Sequence, residues 1–401
     1  MIPAHWNMWK VKHLFAERIE KGFPEEQLLV ASQNHGVIPK REYETRTVEA
    51  TKDLHLLKLV KQGDFVISLR SFQGGIEYAH CQGIISPAYT IMIPQEEISP
   101  AYFRLLAKSF PFIEMLKQCV TGIREGQNID YNKLKNRHIP LPPREEQDAI
   151  VRFLDAKCAK IDRLIKLKER QIELLNEKKQ NIINQAVTKG LDPHAPMKDS
   201  GVDWIGEIPE GWEVILNHRL WEEETRDYSA PETVLSLSQQ DGVIPYEDMT
   251  ERSLHTSSYE NWKLVLPGDL VVNRFKAHLG VFFSSAYRGI VTFHYGVFKF
   301  KLEGVTKYYE YLYHTPEACR IYASLSNGMT VGLQNLSNSH FYSAYSVYPP
   351  VQEQREIVEK VEAIHAAYRV KTKIIEKEIF TLQEYKTRII SDVVTGKIVC
   401  L

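Results

Sequence analysis

Two stretches of the chain carry apolar residues at alternating spacings of three and four. The first runs through Ile150, Leu154, Ile161, Ile165, Ile172, Leu175, Ile182 and Ala186, the second through Ile357, Val361, Tyr368, Ile375, Ile379, Leu382, Ile389 and Val393. That spacing places the side chains on one face of a helix and reads as a coiled-coil seam. Pro142-Pro143-Arg144-Glu145-Glu146-Gln147 opens the first helix and Pro349-Pro350-Val351-Gln352-Glu353-Gln354 the second. Prolines precede the first turn, and acids within it complement the helix dipole. Gly190 and Gly396 stand where C-terminal stops are expected. Roughly 44 residues at 1.5 Å each span about 65 Å, too long for filling one small core. Each helix therefore has the other as its natural partner. Lys168 stands where the second seam has Ile375, so the seam is imperfect. Periodicity leaves open whether the pairing is within one chain or between chains.

Ahead of each helix lies a mixed region of short strands and turns. Gly63-Asp64-Phe65-Val66-Ile67-Ser68 reads as a turn followed by a strand, and residues 84–94 as another β-rich run. Gly268-Asp269-Leu270-Val271-Val272-Asn273 and residues 290–301 repeat that order. One helix is expected over 100–119 and its counterpart over 308–324. The recurrence is a duplication of the whole chain. Ile2-Pro3-Ala4-His5-Trp6 returns as Ile208-Pro209-Glu210-Gly211-Trp212, and Gly36-Val37-Ile38-Pro39 as Gly242-Val243-Ile244-Pro245, both at an offset of 206. Gly83 and Gly289 keep that offset, and the proline pairs fall at 207. A period this long means two copies of a domain rather than a solenoid. The fold class is α+β: two α/β domains separated by two long helices in an antiparallel coiled coil, with an internal pseudo-two-fold repeat. Leu191 to Gly201, rich in Pro, Asp and Gly, reads as an extended linker.

Composition adds little to this picture. The 401 residues carry a net charge of −1, 43% hydrophobic and 25% charged side chains, ordinary for a globular protein. No run of about 18 apolar residues offers a membrane span, and the N-terminus lacks a signal-peptide pattern. Cys81, Cys119, Cys158, Cys319 and Cys400 are scattered, with no CxxC pair, which fits a reduced cytoplasmic protein with neither zinc ribbon nor disulfide framework. Nine Lys or Arg and four acids lie between Lys157 and Lys189. A DNA-facing surface and a solvated helix face share that composition, and charge alone favours the second.

Two similar units held apart by long helices suit a ligand with two similar sites at a fixed spacing, such as duplex DNA. The segment Met197-Lys198-Asp199-Ser200-Gly201-Val202-Asp203-Trp204-Ile205-Gly206-Glu207-Ile208-Pro209-Glu210-Gly211-Trp212 resembles the entry to a recognition domain of type I restriction-modification specificity subunits. The twice-repeated Pro-Pro-x-x-Glu-Gln helix start and Gly83-Ile84-Ile85-Ser86-Pro87-Ala88-Tyr89 resemble that family too. The resemblance covers essentially the whole chain. The first copy begins at Ile2-Pro3 without the Asp-Ser-Gly-x-x-Trp preface, and the second has Gly289-Ile290-Val291-Thr292-Phe293-His294-Tyr295 in place of the Ser-Pro-Ala-Tyr form.

The resemblance implies target-recognition domains over 1–143 and 208–350, long helices over 144–190 and 351–401, and a linker over 191–207. It implies a non-catalytic subunit in which each domain reads one half of a bipartite, asymmetric double-stranded DNA target while the helices set the spacer. The implied partners are two methyltransferase subunits docked on the helices and restriction-translocase subunits. S-adenosylmethionine, ATP and Mg are expected only in those partners, with no cofactor in this chain.

Base readout needs Arg or Lys for guanine and Asn or Gln for adenine, displayed on loops beside a rigid sheet. One loop offers Arg70, Ser71 and Gln73, and its counterpart Asn273, Arg274, Lys276 and His278. A second offers Arg124, Gln127 and Asn128, and its counterpart Thr330, Gln334 and Asn335. These loops occupy equivalent points of the repeat while their sequences diverge, as expected if the two targets differ. Trp6 and Trp212 match as framework aromatics and read as core. Catalysis is not expected. The proline pairs lack the Asn or Asp of an adenine methyltransferase motif, no GxxxxGK[ST] loop is present, and histidines show no metal-ligand spacing. Glu384-Tyr385-Lys386 has the acid-x-Lys spacing of some nucleases, but it lies on the seam helix and reads as a solvated face. The other reading is a coiled-coil scaffold or adaptor whose ends bind proteins.

Overall fold

The computed structural model describes residues 2–33, 35–43, 53–69, 71–121, 128–228, 232–239, 241–249, 259–327 and 335–399. Contacts group the chain into two compact units, residues 1–170 with 375–401, and residues 171–374. Each unit contains one α/β domain and part of each long helix.

In the first unit a four-stranded antiparallel sheet orders Phe15–Arg18, Thr90–Pro94, Phe65–Ile67 and Glu77–Tyr78. The hairpin Leu29–Ser32 with Gly36–Pro39 and the pair Lys58–Val60 with Gly83–Ile85 flank it. Phe15, Phe65, Phe103 and Phe112 fill the core behind the sheet, with Phe65 edge-on to Phe103 at 4.7 Å. The second unit repeats the plan with Trp221–Glu223, Tyr295–Phe300, Leu270–Asn273 and Phe282–Ser284. Its core is built from Trp221, Phe282, Phe298, Tyr308, Tyr309, Tyr313, Tyr322 and Phe341. Trp6 and Trp212 are buried, as the matched framework aromatics predict.

The expected helix over 100–119 is two helices, Pro100–Leu106 and Phe110–Lys117, and the one over 308–324 is also two, Thr306–Tyr313 and Pro316–Leu325. Pro111 and Pro316 cause the breaks. A proline has no N–H to give and clashes with the preceding turn, so the chain stops and starts again. At the second start the Thr315 hydroxyl accepts from the Ala318 N–H at 3.3 Å. Part of the linker is an extended strand. Met197–Asp199 pairs with Glu207–Pro209, and Trp204 and Ile205 pack on the domain core.

The long helices run Arg144–Lys189 and Val351–Val394, with Gly190 (φ 79°) and Gly396 (φ 74°) at their ends. Both glycines hold the left-handed conformation that closes a helix at low cost. The helices pair antiparallel within one chain. In the first unit Lys168 Nζ lies 2.7 Å from Glu378 Oε2, and Lys386 Nζ 2.7 Å from Asp162 Oδ1. Lys168 thus replaces an apolar contact with an interhelical ion pair, and Lys386 is a cross-helix partner. In the second unit Ile183, Ala186 and Val187 join Ile357 and Val361 in one core. Ile183, rather than the expected Ile182, faces inward there. The seam turns by one position where the helix leaves its two-helix contact and packs onto the domain.

The repeated Pro-Pro-x-x-Glu-Gln motif locks helix to domain. Gln147 is fully buried; its Oε1 accepts from Ser99 N at 2.7 Å, and its Nε2 donates to Glu97 O and Pro142 O at 3.0 Å each. Gln354 does the same with Val305 N (2.9 Å) and Pro349 O (2.8 Å). At the other helix ends, Tyr102 OH donates to Val394 O at 2.9 Å and Tyr308 OH to Val187 O at 2.7 Å. Each tyrosine satisfies a carbonyl that a helix C-terminus leaves unpaired. Gln147→Ala strands three buried backbone groups, each costing about 1–3 kcal/mol. It should lower stability in denaturant unfolding by roughly 2–4 kcal/mol, and Gln354→Ala by a similar amount. A loss below about 0.5 kcal/mol would remove the motif's locking role.

Candidate nucleic-acid interface

In each domain the described ends of the two candidate loops lie close together. In the second unit the Asn273 side chain accepts from Phe275 N at 3.1 Å and opens the tight turn Arg274–Leu279. Leu336 N donates to Arg274 O at 3.0 Å, tying that turn to the other loop. The second loop is closed by Asn327 and Asn335, whose backbones exchange hydrogen bonds at 3.0 and 2.8 Å. In the first unit the helical turn Ser71–Gly74 packs beside Asn128–Ile129, the closing strand of the loop that starts at Val120–Thr121. Lys108 Nζ pins this turn by donating to Gly74 O (2.9 Å) and to both Glu77 carboxylate oxygens (2.8 Å each).

Strand pairing shows where the copies part. Val66 pairs with Glu77, and Val271 with Phe283, so the connection is one residue longer in the second copy. Thr121 pairs with Asn128, and Asn327 with Asn335, so the second loop is one residue longer there too. Both candidate loops differ in length as well as sequence, on frameworks that keep the same pairing.

The candidate side chains fall into three groups. Ser71 is fully buried, with its Oγ accepting from Ser68 N at 2.8 Å, and Asn273 is buried in its cap. These two shape their turns and do not face outward. Gln73, Lys276 and Asn335 are exposed, and Asn128 and His278 are half-buried. Arg274 is half-buried, held by Glu223. Arg70, Arg124, Gln127, Thr330 and Gln334 lie outside the described residues.

Sequence reasoning missed what surrounds Arg274. Glu223 Oε1 accepts from Arg274 Nη2 at 2.6 Å and from Lys263 Nζ at 2.8 Å, and its Oε2 accepts from Asn338 Nδ2. Glu223 N donates to the Tyr342 hydroxyl at 2.9 Å, and burial pushes that hydroxyl's pKa up. Phe275, Phe293 and His294 form an exposed aromatic patch beside the same turn. Glu223 sits in the acid run Glu222-Glu223-Glu224, which reads in sequence as a surface facing away from DNA. Away from the loops, paired carboxylates keep the turns fixed. Asp64 is held by Arg18 (2.8 and 3.1 Å) and Asp269 by Arg226 (2.5 and 3.2 Å). The hydrogen bond to Asp64 raises the Arg18 pKa. Among the described residues no group of three or more His, Cys, Asp or Glu could hold a metal ion.

No family model matches the chain. Over 313 residues it is 26% identical to a putative type I restriction enzyme MjaX specificity subunit of Methanocaldococcus jannaschii, covering 76% of this chain and 69% of that one. Over 95 residues it is 41% identical to the type I restriction enzyme MjaVIII specificity subunit of the same organism, 24% of this chain and 20% of that one. Most of the chain is thus similar to type I restriction enzyme specificity subunits. A solved chain from work on complex assembly and conformational transition of the type I R-M system shares the fold, with TM-score 0.64 and 15% identity over 99% of this chain and 100% of that chain. The specificity-subunit architecture of two α/β domains and two long antiparallel helices is therefore the one seen here.

Proposed function

We propose that this chain is a specificity subunit and reads a bipartite, asymmetric duplex sequence, with residues 1–143 reading one half and residues 208–350 the other. The observation that carries the proposal is the repeat itself. Frameworks with the same strand pairing end in loops that differ in length and in donor content. Gln73 and Asn128 are the described readers proposed for the first half-site, and Arg274, Lys276, His278 and Asn335 for the second. Side chains of this kind recognise guanine and adenine edges in the major groove. Arg70, Arg124, Gln127, Thr330 and Gln334 complete the proposed set.

The long helices are the proposed ruler and docking face. Their exposed flanks carry Leu164, Leu167 and Leu174 on one helix and Val370, Ile374 and Phe380 on the other. These exposed apolar side chains on both helices support a docking face there. The proposed partners are two methyltransferase subunits, which bring S-adenosylmethionine, and restriction-translocase subunits, which bring ATP and Mg. The proposed site of action is the cytoplasm; no described helix is long and apolar enough to cross a membrane.

Selection from a random duplex library tests this reading. The chain co-purified with its methyltransferase subunits should enrich two different short motifs separated by a fixed gap. An intact complex that enriches no motif would favour a protein-binding scaffold.

A further inference from the structure

Glu223 receives three side-chain donors from three separate elements of the second domain. Lys263 comes from the strand Lys263–Val265, Arg274 from the turn Arg274–Leu279, and Asn338 from the helix Asn338–Ser343. The Tyr342 hydroxyl accepts from Glu223 N and fixes the Glu223 backbone. The carboxylate therefore ties the first candidate loop to a strand and to the helix that follows the second loop. Arg274 gives Glu223 its Nη2 only, while its Nε is buried and unpaired, packed beside Gly296. A guanidinium gripped on one nitrogen has its fork held at a set angle, and the cost of ordering a long side chain is met before any ligand arrives.

The first domain supplies the comparison. Glu17 occupies the place of Glu223, since Glu17 pairs with Met92 as Glu223 pairs with Phe298. It is exposed, and Tyr131 opens the helix that Asn338 opens in the second copy. Lys58, the counterpart of Lys263, donates instead to Tyr89 O at 2.8 Å. The carboxylate is common to both copies; among the described residues, the cluster assembled on it is found in the second copy alone. A framework element would be kept in both. An element that follows the target differs, as this one does.

We infer that Glu223 is a positioning residue for sequence readout: it aims Arg274 at one base of the second half-site and so sets the preference at that position. The inference rests on the reading that the second domain recognises a half-site. The test measures methylation by the complete methyltransferase complex on duplexes in which each position of both half-sites is varied singly. Glu223→Gln keeps the shape and removes the charge; Arg274→Ala removes the reader. Both should relax the same single position by about tenfold, the double variant should relax it no further, and Glu223→Asp should restore part of the preference. Asn338→Ala, at the rim of the cluster, should relax that position more weakly and covers the case in which Glu223→Gln does not fold. Suppose Arg274→Ala relaxes one position while Glu223→Gln and Asn338→Ala lower methylation evenly across all sequences. Glu223 is then structural, and the inference falls with the half-site reading intact. If Arg274→Ala relaxes no position in either half-site, that reading falls first.

Discussion

Adding four residues to each long helix, one turn at matched points of the antiparallel pair, should lengthen the unread spacer and leave both half-sites unchanged. Four helical residues add about 6 Å, which corresponds to about one or two base pairs of duplex. Matched insertion matters because the helices are bonded across at Asp162–Lys386 and Lys168–Glu378. An insertion in one helix alone would slide those ion pairs and the seam out of register. The locks at Gln147 and Gln354 hold each helix start to its own domain, so a longer rod must carry the domain with it. Mapping methylated sites of the lengthened variant checks this. A lengthened variant that still methylates the original spacing would show that the helices are not the ruler.

The second large effect is confined to one half of the target. Arg274→Ala with Lys276→Ala removes the two cations of the turn Arg274–Leu279, where a well-placed bidentate contact discriminates by about 1–3 kcal/mol. Cleavage-protection assays should show relaxed or weakened reading of the second half-site with the first half-site sequence intact. Equal degradation of both halves would contradict the assignment of one domain to one half. Lys276, which is exposed, should also lower the salt sensitivity of binding if it holds a phosphate.

Much of the framework was legible because it depends on patterns that repeat. Gly190 and Gly396 mark helix stops since only a residue at ease with positive φ closes a helix that way. The seam was legible at Ile150, Leu154, Ile357 and Val361, where helix packs on domain as well as helix, and less so at Ile172 and Leu382, which two helices alone leave half-covered. Pro111 and Pro316 were visible as breakers, yet their regions read as single helices because the apolar pattern runs on across both breaks. The Pro-Pro-x-x-Glu-Gln motif stood out as a helix start. Its glutamine's task, bonding to backbone 48 to 50 residues away, depends on tertiary contact that spacing does not carry.

The reading loops were legible as places and only partly as residues. Equivalent position and donor content pick out the two segments, and strand pairing adds that both changed length. Which side chains face outward depends on local turns, which is why Ser71 and Asn273 are spent on capping. Glu223 was invisible because an acid beside a DNA surface has a function only through the donors it holds, and those lie 40, 51 and 115 residues away.

Single-molecule sequencing of methylated adenines in cells carrying the chain with its partner subunits tests the central claim most directly. The account predicts one methylated sequence with two different specified halves, separated by a gap of fixed length and unspecified bases. A continuous or symmetric methylated site, or methylation without sequence preference, would contradict it.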